Sequence, residues 1–433
     1  MLYVKASPKN DLVIRGARVV DPARGVDAVL DVRVDDGVIA QLGADVETNG
    51  HRVVDAAGLV LAPAFVDPHV HLRTPGREDE ESIASGTQAA AAGGFCAILA
   101  MPNTEPVVDS AAVLGALVER AQAEAEVPVG FLAAISKGSE GGELTEMGEL
   151  ADSGAAGFTD DGRPVVSSSL MRRALQYGAV AGRTIAVHCE EPTLSRSGQM
   201  HEGEVSAELG FTGYPSVAES VMVGRDMALA AYEGRPVHVL HVSARESVET
   251  VRRAQAEGVA ATAEVTPHHL VLTDQALRSL DPNVKMNPPL RSADDRQALI
   301  AALKDGTICA VATDHAPHAR HEKEVPFEEA PFGVTGLETA FSALYTYLVA
   351  PGVVSLETLL ERMSAGPARA LGLPEPRIEV GSRANLVQLD LAAEWQVDAG
   401  SFRSRSQNSW LLGHTLRGRV VRTVADGREV YAA

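Results

Sequence analysis

Eight short apolar runs, most of them followed by a helix-like stretch, constrain this chain more than any other feature. The runs are LVLAPAFVDPHVH, FCAILAMPN, VPVGFLAAI, AAGFTDD, TIAVHCE, VHVLHVS, VAATAEVTP and ICAVATDHA. Each holds an apolar stretch of a buried strand's length. Between most of them lie Ala-rich or Leu-rich stretches such as SIASGTQAAAAGG, SSSLMRRALQYGAVAG and DRQALIAALKDG, and several end in the glycine that stops a helix. Strands joined through helices run parallel, and eight such units close most simply into an α/β fold of the (β/α)8 barrel type. Active sites on that fold sit at the C-terminal ends of the strands, so the residues there carry the functional argument.

The two ends of the chain read differently. Up to about Leu61, DLVIRGARVVDP, DVRVDDGVIAQLG and HRVVDAAGLVLAP alternate apolar and polar residues between turn formers. The last segment has the same texture in RIEVGSRANLVQLDL and GRVVRTVADGREVYAA, and Asp36-Gly37 and Asp426-Gly427 read as hairpin turns. At 433 residues the chain exceeds one ordinary core. The expectation is a small β-sandwich domain built from residues 1–61 and 367–433, with the barrel, 62–366, inserted between them.

The net charge of −20 argues against nucleic acid or an anionic membrane as partner. A small anionic substrate would need a local positive site. Cys96, Cys189 and Cys309 are odd in number and far apart, so they suggest neither a disulfide framework nor a zinc knuckle. The opening MLYVKASPKN does not resemble a signal peptide and no apolar run reaches bilayer length, which leads us to expect a cytoplasmic protein.

The strand ends hold a set of ligand-type residues. The first run ends in His69 and His71, the second in Asn103, the fourth in Asp160-Asp161, the fifth in His188, the sixth in His241 and the eighth in Asp314. Residues i and i+2 of a strand share a face, so His69 and His71 aim at one space, with Asp67 on the same parity as a partner or hinge group. A single His-x-His is a weak signal; its repetition in kind at five strand ends is a strong one. The donors are too many for one tetrahedral ion and suit two divalent ions. Nitrogen and oxygen donors without thiolate favour Zn²⁺, with Mn²⁺ or Co²⁺ as substitutes. Water bound there would be acidified to a pKa of about 7. Arg73 is the cation nearest to the pair.

Other residues are read as structural. His268-His269 would point apart on an extended segment. His238, three residues before His241, would face away and pack against a helix, and Cys189 would turn from His188. Lys137 reads as a loop cation, His51, His201 and His414 lie outside the constellation, and His315 and His321 stay open. The polar stretch HAPHARHEKEVPFEEAPFG after Asp314 reads equally as a mobile lid or a surface loop.

The motifs DPHVHLRTPG and ATDHAPHARHEK resemble the two signatures of the dihydroorotases, of the bacterial class I type, within the amidohydrolase superfamily. MPNTEP, AISKGSEG, FTDDG, VHCE, HVS, EVTPHHL, MNPPLR and PFGVTGLE extend the likeness in order through the barrel. The resemblance implies a reversible cyclisation of N-carbamoyl-L-aspartate to dihydroorotate in pyrimidine synthesis, with two zinc ions per subunit. It implies that His69, His71 and Asp314 hold one ion, that His188 and His241 hold the other, and that Asp161 rather than Asp160 bridges them where many relatives use a modified lysine. Asp314 would also move the proton. Arg73, Asn103 and His318 would hold the substrate carboxylate, with His71 alongside, and Asn287 with the backbone at Phe332-Gly333 would hold the ring. A homodimer is implied, and aspartate transcarbamoylase is a possible partner. The alternatives are another cyclic amidase, such as a dihydropyrimidinase or allantoinase, and a catalytically silent scaffold for the transcarbamoylase.

Overall fold

The computed structural model describes residues 1–433. Eight parallel strands form the barrel: Phe65–Val70, Phe95–Ala100, Val129–Ala133, Gly157–Phe158, Ile185–Val187, Val237–Val239, Ala261–Val265 and Ala310–Val311. Each is hydrogen-bonded to the next in sequence order, and each falls inside one of the eight apolar runs. Helices such as Ile83–Ala92, Ala111–Glu124, Ser168–Val180, Val217–Glu233, Arg245–Ala256 and Ala293–Asp305 wrap the outside.

The ring closes just beyond the ends of its first and last strands. The His71 N–H donates to His315 O at 2.9 Å, and Val70 and His315 form a parallel bridge. Asp67 fastens the same seam: its carboxylate accepts from the Thr313 hydroxyl at 2.5 Å and the Thr313 N–H at 3.1 Å. Burial pushes the Asp67 carboxyl up to about 7. Asp67 therefore ties strand one to the end of strand eight.

A second sheet joins the two chain ends. Its order is Arg428–Ala432, Thr415–Ala425, Leu386–Gln396, Val60–Pro63, Leu12–Asp21, Val26–Asp35 and Val38–Gly43, with Arg52–Asp55 also paired to Leu12–Asp21. It covers an apolar core of its own, including Leu12, Ile14, Val32, Ile39, Ile378, Leu386 and Val424, and forms the small β-sandwich. Both Asp-Gly pairs make the expected hairpin turns, with φ of 46° and 72° at Asp36-Gly37 and 49° and 74° at Asp426-Gly427. The two turns abut: a Cβ on Gly427 would lie 2.5 Å from Gly37 Cα. No helix is long and apolar enough to cross a membrane.

Candidate active site

The turns after the strands aim the side chains into the barrel mouth. Arg73, His241 and Asp314 hold positive φ of 53°, 29° and 47°, a conformation that costs a non-glycine residue about 1–3 kcal/mol unless its surroundings enforce it. His69, His71, Asp161, His188, His241 and Asp314 meet there, all buried. Asp314 Oδ1 lies 3.1 Å from His71 Nε2 and 3.4 Å from His69 Nε2. Asp161 stands among four imidazoles. Its Oδ1 is 3.6 Å from His69 Nε2 and 3.4 Å from both His188 Nδ1 and His241 Nε2, and its Oδ2 is 3.6 Å from His71 Nε2. Asp160 turns the other way, accepting from the N–H groups of Ile135 at 2.8 Å and Ser136 at 3.1 Å and from the Ser136 hydroxyl.

Neighbouring acceptors decide which imidazole nitrogen faces inward. His69 Nδ1 donates to Glu264 at 2.9 Å, His71 Nδ1 to Asn103 Oδ1 at 2.9 Å and His188 Nε2 to Glu190 at 3.2 Å. In a neutral ring the other nitrogen then carries the lone pair, so three bare nitrogens face Asp161 and Asp314. His69 Nε2 and Asp161 Oδ1 are buried without a hydrogen-bond partner. Lone pairs converging on carboxylate oxygens in a buried space are what a divalent cation satisfies, and two ligand groups, His69–His71–Asp314 and His69–Asp161–His241, have the spacing for one. The field of the site favours positive charge in the same way. Burial opposes protonation of His69, but Asp161 and Asp314 overcome it and hold its pKa well above the ordinary value. His188 is raised to about 9 by Asp161 and Glu190 against the same burial. Burial also opposes charge on Asp161 and Asp314, and His69 leads the groups that nonetheless hold both below the usual carboxylate range.

A cavity of about 210 Å³ opens over this cluster, lined in addition by Arg73, Asn103, Asn287, His318, Phe332 and Gly333. Arg73 uses Nε to reach Pro317 O at 3.1 Å and Glu80 at 2.9 Å, which leaves the Nη edge of its fork for a ligand. Asn287 donates Nδ2 to Glu190 at 3.1 Å, while its Oδ1 is buried and unpartnered. Two of the expected carboxylate contacts are engaged within the protein. Asn103 links His71 to Asp161 at 3.2 Å, and the His318 ring sits between Glu80 at 3.2 Å and Phe332 O at 2.8 Å. Gly333 donates its N–H to Lys285 O, and its carbonyl accepts from Asn408 Nδ2. A Cβ there would stand 2.7 Å from Ala316 Cβ, so Gly333 offers the cavity space.

Two sequence expectations are corrected. His238 faces into the barrel, with Nε2 2.9 Å from Glu264 and Nδ1 2.8 Å from Thr262 Oγ1. The positive φ at His241 breaks the strand alternation, so residues three apart share a side. His268 and His269 lie on a helical turn, Pro267–Val271, with rings 4.7 Å apart; His269 donates to Pro288 O at 3.0 Å. His315 is buried at the seam against Glu81 at 3.1 Å, while His321 is exposed. The stretch after Asp314 is fastened by buried lysines: Lys285 Nζ donates to Phe327 O at 2.7 Å, and Lys323 Nζ to Pro282 O at 3.0 Å and Pro331 O at 2.7 Å. Cys189 does turn from the cluster, toward Asp226, and Lys137 pairs with Glu143 on the surface.

Glu264, Glu190 and Glu80 escaped the sequence reading. A carboxylate inside the apolar run VAATAEVTP was the available signal for Glu264, since a charge is rarely buried unpaired. Nothing comparable marked Glu80 among the acids of GREDEE.

The chain is similar to known proteins. Residues 58–247 match the model of the Dihydro-orotase-like family. A dihydroorotase of Geobacter sp. (strain M21) is 47% identical over 424 residues, covering 98% of this chain and 100% of the relative. One of Anaeromyxobacter dehalogenans (strain 2CP-C) is 48% identical, covering 97% and 98%. Among solved structures, the L-hydantoinase (dihydropyrimidinase) of Arthrobacter aurescens superposes with a TM-score of 0.88 at 28% identity, covering 98% of this chain and 96% of that one. The dihydropyrimidinase of Brevibacillus agri NCHU1002, with a TM-score of 0.85 at 24% identity over 98% and 95%, shares the fold. By its full-length likeness to these relatives, the chain belongs to the dihydroorotases, metal-dependent cyclic amide hydrolases.

Proposed function

We propose that this chain interconverts dihydroorotate and N-carbamoyl-L-aspartate, opening or closing a ring amide with the uptake or loss of water. One observation carries this reading. Arg73, with an open Nη edge, and Asn287, whose Oδ1 is unpartnered, line one small cavity with the carboxylate–imidazole cluster. A ring that bears a carboxylate and N–H donors satisfies both; an uncharged ring would leave the Nη edge of that guanidinium without an acceptor, which is costly.

His69, His71 and Asp314 would hold one zinc ion and His188 and His241 a second, with Asp161 between them; such ions acidify water and polarise a carbonyl. Asp314 takes the proton of the attacking water and hands it to the amide nitrogen as the carbon–nitrogen bond breaks. In ring closure it takes the proton of the ureido nitrogen and gives it to the departing water. The Arg73 fork grips the free carboxylate and fixes the ring's orientation. Asn287 accepts from a ring N–H.

A cytoplasmic homodimer fits the exposed apolar side chains Tyr177, Val180 and Tyr232 on the neighbouring helices Ser168–Val180 and Val217–Glu233; association with aspartate transcarbamoylase rests on the family resemblance alone. Assays of the purified protein on dihydroorotate, dihydrouracil and allantoin test the substrate. Dihydroorotate should be preferred by about 100-fold or more in kcat/KM, because a site built around a charged fork rejects uncharged analogues. Turnover of only the other two would end this reading.

A further inference from the structure

Glu190 follows His188 by two residues, and its carboxylate joins two parts of the cavity wall. Its Oε2 lies 3.2 Å from His188 Nε2 and 3.1 Å from Asn287 Nδ2, and its Oε1 accepts from the Ser195 hydroxyl at 2.5 Å. The side chain is 16% exposed. A carboxylate can only accept, so the edge of the Asn287 amide that meets it must be the NH₂ edge. The Asn287 oxygen is thereby turned away from Glu190, and it is buried without a partner in a residue that lines the cavity. A neutral apolar residue in place of Glu190 would leave the amide free to turn over and present donors to the ligand. The same acceptor holds His188 Nε2–H outward and so keeps Nδ1 toward Asp161 at 3.4 Å.

We propose that Glu190 is a positioning residue for substrate recognition: by fixing the amide of Asn287 it makes that side chain an acceptor and selects cyclic amides that present a ring N–H. This rests on the reading of the cavity as a dihydroorotate site. The role is separate from proton transfer, because Glu190 touches the substrate only through Asn287.

Exchanging the two functional groups tests the proposal. Asn287→Asp sets two carboxylates face to face, and KM for dihydroorotate should rise about tenfold or more. Adding Glu190→Gln restores an amide–carboxylate pair with donor and acceptor exchanged, and should recover most of that rise. Bound zinc, measured by elemental analysis, should stay at the wild-type level in Asn287→Asp; the exchanged pair also sets the new glutamine NH₂ against His188 Nε2, so its KM is read with zinc added to saturation. A second route uses alanine. Glu190→Ala and Asn287→Ala should each raise KM, and the double variant should be no worse in KM than Asn287→Ala alone. Glu190→Ala should also bind zinc about 10–100-fold more weakly, through His188. An unchanged KM in Asn287→Asp, no recovery in the exchanged pair, or alanine effects that multiply would overturn the proposal. Wild-type protein that does not turn over dihydroorotate would instead defeat the reading on which it rests.

Discussion

At the scale of single residues, the site is governed by carboxylates that never line the cavity. Glu264 is the central one. Buried beneath the cluster, it accepts from His69 Nδ1 at 2.9 Å, lies 2.9 Å from His238 Nε2 and meets the His241 N–H at 3.3 Å. One side chain thus orients the imidazole of His69 and fixes the backbone of His241, two residues proposed to hold metal. Glu264→Ala should weaken zinc binding by about 10–100-fold, read by competition with a coloured chelator. Affinity equal to wild type would show that His69 finds its orientation elsewhere. The residues most exposed to view in the sequence were the ligand types at strand ends, because barrel geometry gives those positions meaning. Their supports were hidden for a physical reason: which acid pairs with which histidine depends on contacts between strands far apart in sequence. Glu264 lies 195 residues from His69.

At the scale of elements, the segment from His315 to Gly333 matters most. Its sequence is polar and long, and nothing local distinguishes a lid from a pinned loop. The pins come from outside the segment or act through carbonyls, which leave no mark in residue type. Lys285 lies over the rings of Phe327 and Phe332, at 5.1 and 4.9 Å, and Asn408 bonds Ala316 O and Gly333 O, each at 3.1 Å. Lys323, buried by the fold, is pushed down to about 7. The unfolded chain keeps that proton to about pH 10.4, while the folded protein releases it above about pH 7. Between those values the unfolded state binds more protons, so the stability owed to Lys323 rises with pH. The melting temperature of wild type minus that of Lys323→Met should therefore increase from pH 7 to pH 9. A flat difference would mean that the ammonium is not desolvated.

At the scale of the whole molecule, two closures hold the protein together. The barrel closes at Asp67–Thr313 and His71–His315, and the chain ends close through one sheet whose middle strand, Val60–Pro63, leads into the first barrel strand. The alternation of runs and helices made the barrel legible, and the Asp-Gly pairs made the hairpins legible. The contact of one hairpin turn on the other was not, since it rests on the bare backbone of Gly37 and Gly427. Gly427→Ala adds a Cβ at positive φ against Gly37 and should cost about 1–3 kcal/mol of stability, seen as a lower melting temperature. The kcat should stay at wild type, because the turn is remote from the barrel mouth.

The central claim is that six side chains from five strand ends form one cation-binding, amide-cleaving site. Metal titration tests it most directly: strip the purified protein with a chelator, then add zinc in steps while following dihydroorotate hydrolysis. The account predicts loss of nearly all activity on stripping and a recovery that levels off at two ions per chain. Full activity in the stripped protein, or zinc that binds without restoring turnover, would contradict it.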